Sequence, residues 1–129
     1  RVLEGLPESA ARKVELVQAD ALQWQPQGAP VDFLYADIWL YLAEPQTLAE
    51  VQRMQANVHA DQVYFWGQEL VLGAMASAQA APGTPAWTDA VDHAVRETGL
   101  PLLAQADEGY ANLIARVLQL RQGGRPTAG

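Results

Sequence analysis

Three short apolar segments, each followed by a polar turn or by a stretch with helical spacing, constrain the fold of this chain most. They cover residues 14–17, 31–36 and 62–66. The first alternates apolar and polar residues, which predicts a strand, and the second is more continuously apolar, as expected for a strand covered on both faces. The third is rich in β-branched and aromatic residues and ends at Gly67, so it predicts another strand.

The spacing of apolar residues between and after these segments predicts helices. We expect them at residues 45–58, 68–79, 88–97 and 107–121, with a short strand at most at Leu102 and Leu103. Alternating strands and helices indicate an α/β fold with a mainly parallel sheet and flanking helices. We expect one domain over residues 1–122 and a flexible tail over 123–129, because the tail has no packing face.

Composition and charge exclude several classes of function. Half of the 129 residues are hydrophobic, there is no cysteine, and only two histidines occur, so we expect a folded domain without disulfides and without a metal site. The net charge of -7, with Lys13 as the only lysine, argues against nucleic-acid binding. The sequence shows no membrane span and no signal peptide, from which we expect a cytoplasmic protein with no membrane partner.

The candidate site residues are those that end the predicted strands. In open α/β sheets the ligand crevice lies outside the carboxyl ends of the strands. Asp20 and Asp37 follow the first two predicted strands, and the group Trp66, Gly67, Gln68 and Glu69 lies at the end of the third. A carboxylate there can accept hydrogen bonds from a ribose, an amine or a metal-bound water. The alternative is that Asp20 caps a turn and Asp37 caps a helix.

The order and spacing of these strands and residues resemble the third, fourth and fifth strands of class I, Rossmann-like S-adenosylmethionine-dependent methyltransferases. The resemblance covers roughly residues 8 to 70 and rests on motifs that many α/β proteins share. It implies that Asp20 binds the exocyclic amine of the adenine and that the backbone N–H of Ala21 binds the ring nitrogen. It also implies that Asp37 lies at the reaction centre, where it acts as a general base or holds a cationic amine.

Aromatic and acidic side chains near these strand ends suit a small cationic or aromatic methyl acceptor. We therefore predict that Trp39, Trp66 and Glu69 bind the substrate, although aromatic rings more often serve as packing in the core. The parent protein is expected to transfer a methyl group from S-adenosylmethionine to a small-molecule or protein acceptor.

The sequence departs from the family in lacking the first two strands and the glycine-rich loop between the first strand and its helix. We therefore expect a fragment of a larger domain that is inactive alone. A nicotinamide dehydrogenase would need a glycine-rich turn too, and a receiver domain would need a lysine after its last strand. The alternative from a different class is a non-catalytic α/β module for oligomerisation or protein binding.

The family's strand order, 3-2-1-4-5, implies that the missing strands belong between the first two strands of this chain. Unpaired strand edges invite pairing with another chain. We therefore expect either that these two strands pair directly or that the chain forms a symmetric homodimer.

Overall fold

The computed structural model describes residues 13–104 and 107–123. In that part, two strands and four helices follow one another as β1 (Phe33–Ala36), α1 (Thr47–Val58), β2 (Gln62–Phe65), α2 (Gln68–Ser77), α3 (Trp87–Glu97) and α4 (Glu108–Gly123). The two strands are parallel, with Phe33 opposite Gln62. Leu102 adds a single parallel bridge to Val63 on the far side of β2. The chain is therefore a small α/β domain, as expected, and none of the helices described is both long and apolar enough to cross a membrane.

Strand β1 is covered on one face only, so the expectation of a strand buried on both faces is wrong. Ala36 is buried and Leu34 half-buried on the side of α1, which packs against this strand. On the opposite face, Phe33 is 44% exposed and Tyr35 is 51% exposed. The apolar run is continuous because aromatic residues occupy the uncovered face, which no described element packs over.

The strand predicted at residues 14–17 is also wrong, because this segment is exposed and has no regular structure. A strand needs a partner for its backbone groups, and no strand among the described residues pairs with this one. It therefore does not pair with β1 either. Asp20 follows no strand; instead its carbonyl accepts the N–H groups of Gln23 and Trp24 and closes a turn.

The last three helices pack against one another and form most of the remaining core. Trp87 in α3 is almost fully buried, and its indole N–H donates a 2.8 Å hydrogen bond to the carbonyl of Ala111 in α4. The small residue Gly73 lets α2 pack closely against α4, because a Cβ there would lie 2.9 Å from the Leu118 side chain. Helix α4 includes Gly123, and residues 124–129 of the predicted tail lie outside the described residues.

Candidate functional site

A groove of about 730 Å³ runs between the segment around residues 15–24 and the edge of β1 that faces away from β2. We call it the β1 groove. Its lining is mainly apolar, and the charged side chains on it, within the part of the chain that the structure describes, are Glu15 and Asp37. The apolar lining is formed by Leu16, Val17, Trp24, Leu34, Ala36, Ile38, Met54 and Val58.

Local structure explains why Asp37 lies on this groove. The N–H of Trp66 donates to the carbonyl of Ala36, so β1 and β2 end at the same edge of the sheet. Asp37 is the first residue beyond that edge, and it is exposed. Met54 and Val58 lie one turn apart on the buried face of α1, which explains why α1 supplies the floor beneath the strand.

The two residues predicted to bind the adenine have different surroundings: Ala21 lines the groove, whereas Asp20 caps a turn. The Asp20 carboxylate accepts a 2.9 Å hydrogen bond from the N–H of Leu22, so this side chain caps the turn that follows it. Ala21 lines the groove, and its N–H donates no backbone hydrogen bond to another described residue. The structure thus brings Ala21 and Asp37 to one groove, whereas Asp20 is not among the residues that line it.

None of the three predicted substrate-binding residues is among the described residues that line the β1 groove. Trp39 is only 9% exposed; its ring meets that of Phe65 edge-on at 6.4 Å, and its N–H donates to Glu50. Trp66 is half-buried at the end of β2. Glu69 is half-buried in the first turn of α2, where it belongs to a second polar site.

We call this second site the tyrosine–carboxylate cluster; it consists of Tyr64, Gln68, Glu69 and Tyr110. Glu69 accepts hydrogen bonds from the hydroxyls of Tyr64, at 2.6 Å, and Tyr110, at 3.1 Å. Gln68 is fully buried, and its amide N–H₂ donates to the Tyr110 hydroxyl and to the carbonyl of Leu103. Its Oε1 atom has no hydrogen-bond partner among the described residues.

Burial and the neighbouring carboxylate raise the pKa values of both tyrosines. Desolvation, followed by the hydrogen bond to Glu69, raises the pKa of Tyr64 far above its ordinary value. Burial raises the pKa of Tyr110; the hydrogen bond from Gln68 lowers it by a smaller amount, and the charge and hydrogen bond of Glu69 raise it again. Both hydroxyls therefore stay protonated at neutral pH and remain hydrogen-bond donors to the carboxylate.

Sequence reasoning placed Gln68 and Glu69 among the residues that end the third predicted strand, but it did not identify Tyr64 or Tyr110. Tyr64 is close to Glu69 in the sequence and could have been found from its place in β2. Tyr110 lies 41 residues further along the chain, so no local pattern could have indicated it.

The two sites offer different chemistry. The β1 groove combines an apolar floor with the exposed carboxylate of Asp37, which can hold a cation or accept a proton. The tyrosine–carboxylate cluster has its hydrogen bonds directed inward and joins β2, α2 and α4. Of the two, the groove is the better candidate for binding a ligand.

No protein-family model matches this chain, and neither a curated protein nor a solved structure matches it. Its function is therefore inferred from the geometry of these two sites.

Proposed function

We propose that this chain is the second half of a Rossmann-like, S-adenosylmethionine-dependent methyltransferase domain, and that the complete domain methylates a small molecule or a protein in the cytoplasm. The observation that carries the proposal is the β1 groove, which has Ala21 and Asp37 on its walls. These are the two positions to which the resemblance gives contacts with the cofactor and with the reacting groups.

The residues of the groove fit part of a cofactor site. The N–H of Ala21 makes no backbone hydrogen bond among the described residues, so it is available to a ring nitrogen. Asp20 fits less well, since one carboxylate oxygen already caps its own turn. The sequence contains no glycine-rich loop for the methionine part, and the chain alone is therefore expected to be inactive.

In this proposal the main chemical role of the chain is to position the methyl acceptor. S-adenosylmethionine supplies a methyl group on a sulfonium, which is already a good leaving group, so the acceptor mainly has to be held in line with it. An exposed Asp37 at the end of β1 would hold a cationic acceptor or take its proton. Trp66 and Glu69 remain predicted substrate contacts, while the burial of Trp39 favours a packing role for that ring.

The proposal is tested with the full-length protein in which this chain occurs. Calorimetric titration with S-adenosylmethionine should show binding, and Asp37→Asn should lower turnover while leaving cofactor affinity nearly unchanged. Asp32→Asn is the matched control, since Asp32 precedes β1 and is not among the residues that line the groove. A full-length protein that does not bind the cofactor would exclude methyl transfer.

The alternative function, a non-catalytic interaction module, is favoured by a different observation. Strand β1 pairs on one side only among the described residues, and the aromatic side chains of Phe33 and Tyr35 are exposed. An unprotected strand edge of this kind is a surface on which another polypeptide can pair. For this function we expect association with another chain whether or not the cofactor binds.

A further inference from the structure

We propose that the β1 groove binds an extended segment of a partner protein, which adds a strand to the open edge of β1 and carries apolar side chains on one face and lysine or arginine at its ends. This inference rests on the alternative function, interaction. It follows from the backbone of β1, the lining of the groove and the charges on it. In the complete methyltransferase domain, a strand of the order 3-2-1-4-5 would pair with this same edge of β1 instead.

The backbone of β1 presents hydrogen-bonding groups to the groove. The N–H of Gln62 donates to the carbonyl of Asp32, and Trp66 donates to Ala36, so the even-numbered residues of this strand direct their backbone groups toward β2. Because these groups alternate along a strand, the N–H and carbonyl groups of Phe33 and Tyr35 point the other way. Backbone groups at an open edge require either water or the backbone of an added strand.

The lining of the groove selects the side chains of the added strand. On the covered face of the sheet, Leu34 and Ala36 lie over Met54 and Val58, which form an apolar floor. Side chains at every second position of an adjoining strand would reach this floor, so apolar residues are expected there. On the uncovered face the neighbours are the exposed rings of Phe33 and Tyr35, beside which polar or β-branched residues can pack.

The charge on the groove determines which residues can flank the added strand. Both charged side chains among the described lining residues, Glu15 and Asp37, are acidic, and the whole chain has a net charge of -7. A segment flanked by lysine or arginine is therefore electrostatically complementary, whereas one flanked by acidic residues is repelled.

The same charges argue against a second copy of this chain as the occupant. A second copy would bring the same acidic side chains, Glu15 and Asp37, and the same net charge of -7 to the pairing. Like charges brought together across an interface weaken association. The groove therefore fits a different polypeptide better than it fits its own copy.

The test uses the chain as described and the capped heptapeptide Lys-Val-Thr-Val-Thr-Val-Lys, with binding measured by calorimetry. The same peptide with glutamate at both ends should bind about 10-fold more weakly, because losing two attractive charge contacts costs on the order of one tenfold step. Two further peptides carry N-methyl groups either on the three valines or on the two threonines. Only one of these sets of amides can face β1, so exactly one N-methylated peptide should lose binding.

Protein variants locate the binding edge. Tyr35→Pro removes an N–H that points into the groove without removing a hydrogen bond to β2, and it should abolish peptide binding. Tyr35→Ala loses the same side chain but keeps the N–H, so it is the matched control; it should bind more weakly than the unchanged chain, through the lost ring contact, but clearly more tightly than Tyr35→Pro. Thermal melts of both variants establish whether they fold. If Tyr35→Pro does not fold, the N-methylated peptides still test whether the peptide pairs with the edge of β1.

Hydrogen exchange and light scattering separate the outcomes. Slower exchange of the Phe33 and Tyr35 amides only when peptide is added supports the proposal. Amides that are already protected in the chain alone, or loss of binding with both N-methylated peptides or with neither, would overturn it. Self-association without peptide binding would also overturn strand docking but would leave an interaction function in place. If the chain neither self-associates nor binds the peptide, both strand docking and the interaction function are wrong. Cofactor binding by the full-length protein tests methyl transfer separately.

Discussion

The hydroxyl of Tyr64 lies 2.6 Å from a carboxylate oxygen of Glu69, which links the middle of β2 to the first turn of α2. The other carboxylate oxygen accepts a hydrogen bond from Tyr110 in α4. Hydrogen bonds to an ionised carboxylate are stronger than those between neutral groups. Glu69 therefore connects the sheet to the last helix through two charge-assisted bonds.

The first prediction concerns stability at alkaline pH. Tyr64 and Tyr110 have pKa values raised above the ordinary value of 10.0, so the folded protein keeps two protons that the unfolded chain releases. The contribution of these two tyrosines to the free energy of unfolding should be constant below about pH 10 and should fall as the pH rises further. Urea denaturation at a series of pH values measures this slope.

Substitution of either tyrosine should reduce that slope. Tyr64→Phe and Tyr110→Phe should each lower the free energy of unfolding at neutral pH by about 1 kcal/mol, the usual value of one hydrogen bond. Tyr41→Phe is the control, because Tyr41 is 70% exposed and its loss should change stability by less than about 0.5 kcal/mol. An alkaline slope that is the same in all three variants would contradict the assigned role of the cluster.

A second prediction distinguishes core packing from substrate binding at Trp39. Because this ring is buried against Phe65 and bonded to Glu50, Trp39→Phe should lower the free energy of unfolding by about 1 to 3 kcal/mol. Trp66→Phe, at a half-buried position, should cost less. Urea denaturation followed by circular dichroism measures both. Equal and negligible effects would instead favour the substrate contact that the sequence predicts for Trp39.

A third prediction concerns the close approach of Gly67 to the loop after β1. Gly67 has a φ of 88°, and a Cβ there would lie 3.1 Å from the backbone nitrogen of Ala43. Gly83 has a similar φ of 81° but open space around it, so Gly83→Ala should cost only the strain of a left-handed residue, about 1 kcal/mol. Gly67→Ala should cost about 1 to 3 kcal/mol more, because the methyl group also overpacks the loop. Thermal unfolding of the two variants isolates the packing contribution. Equal losses in the free energy of unfolding would mean that the loop after β1 shifts to accommodate the methyl group.

The sequence predicts the helices of this chain better than its sheet. The four helices contain enough turns for their apolar spacing to be distinctive, and all four are present with ends shifted by a few residues. Residues 14–17 have the alternation of a strand, but pairing depends on a partner elsewhere in the chain, which a local pattern cannot show. For the same reason the sequence did not reveal that one face of β1 is uncovered.

The candidate site was predictable only where it depends on the end of a strand. Asp37 lies at the edge expected from its place after an apolar run, and Ala21 shares a groove with it. By contrast, the approach of Tyr110 to Glu69 and the burial of Trp39 arise from tertiary packing. Sequence spacing carries no information on such contacts between distant segments.

The last prediction separates the two roles of Asp20. Its carboxylate accepts the N–H of Leu22, and an asparagine can accept the same bond, so Asp20→Asn should keep the stability of the chain. Asp20→Ala loses this bond, but the site is exposed, and the free energy of unfolding should fall by only about 0.5 to 1 kcal/mol. If Asp20 also binds the adenine amine, Asp20→Ala should weaken S-adenosylmethionine binding by the full-length protein by roughly 1 to 3 kcal/mol, measured by calorimetry. A stability loss with unchanged cofactor affinity would assign Asp20 to its turn alone, because the turn would then account for the whole effect of the carboxylate.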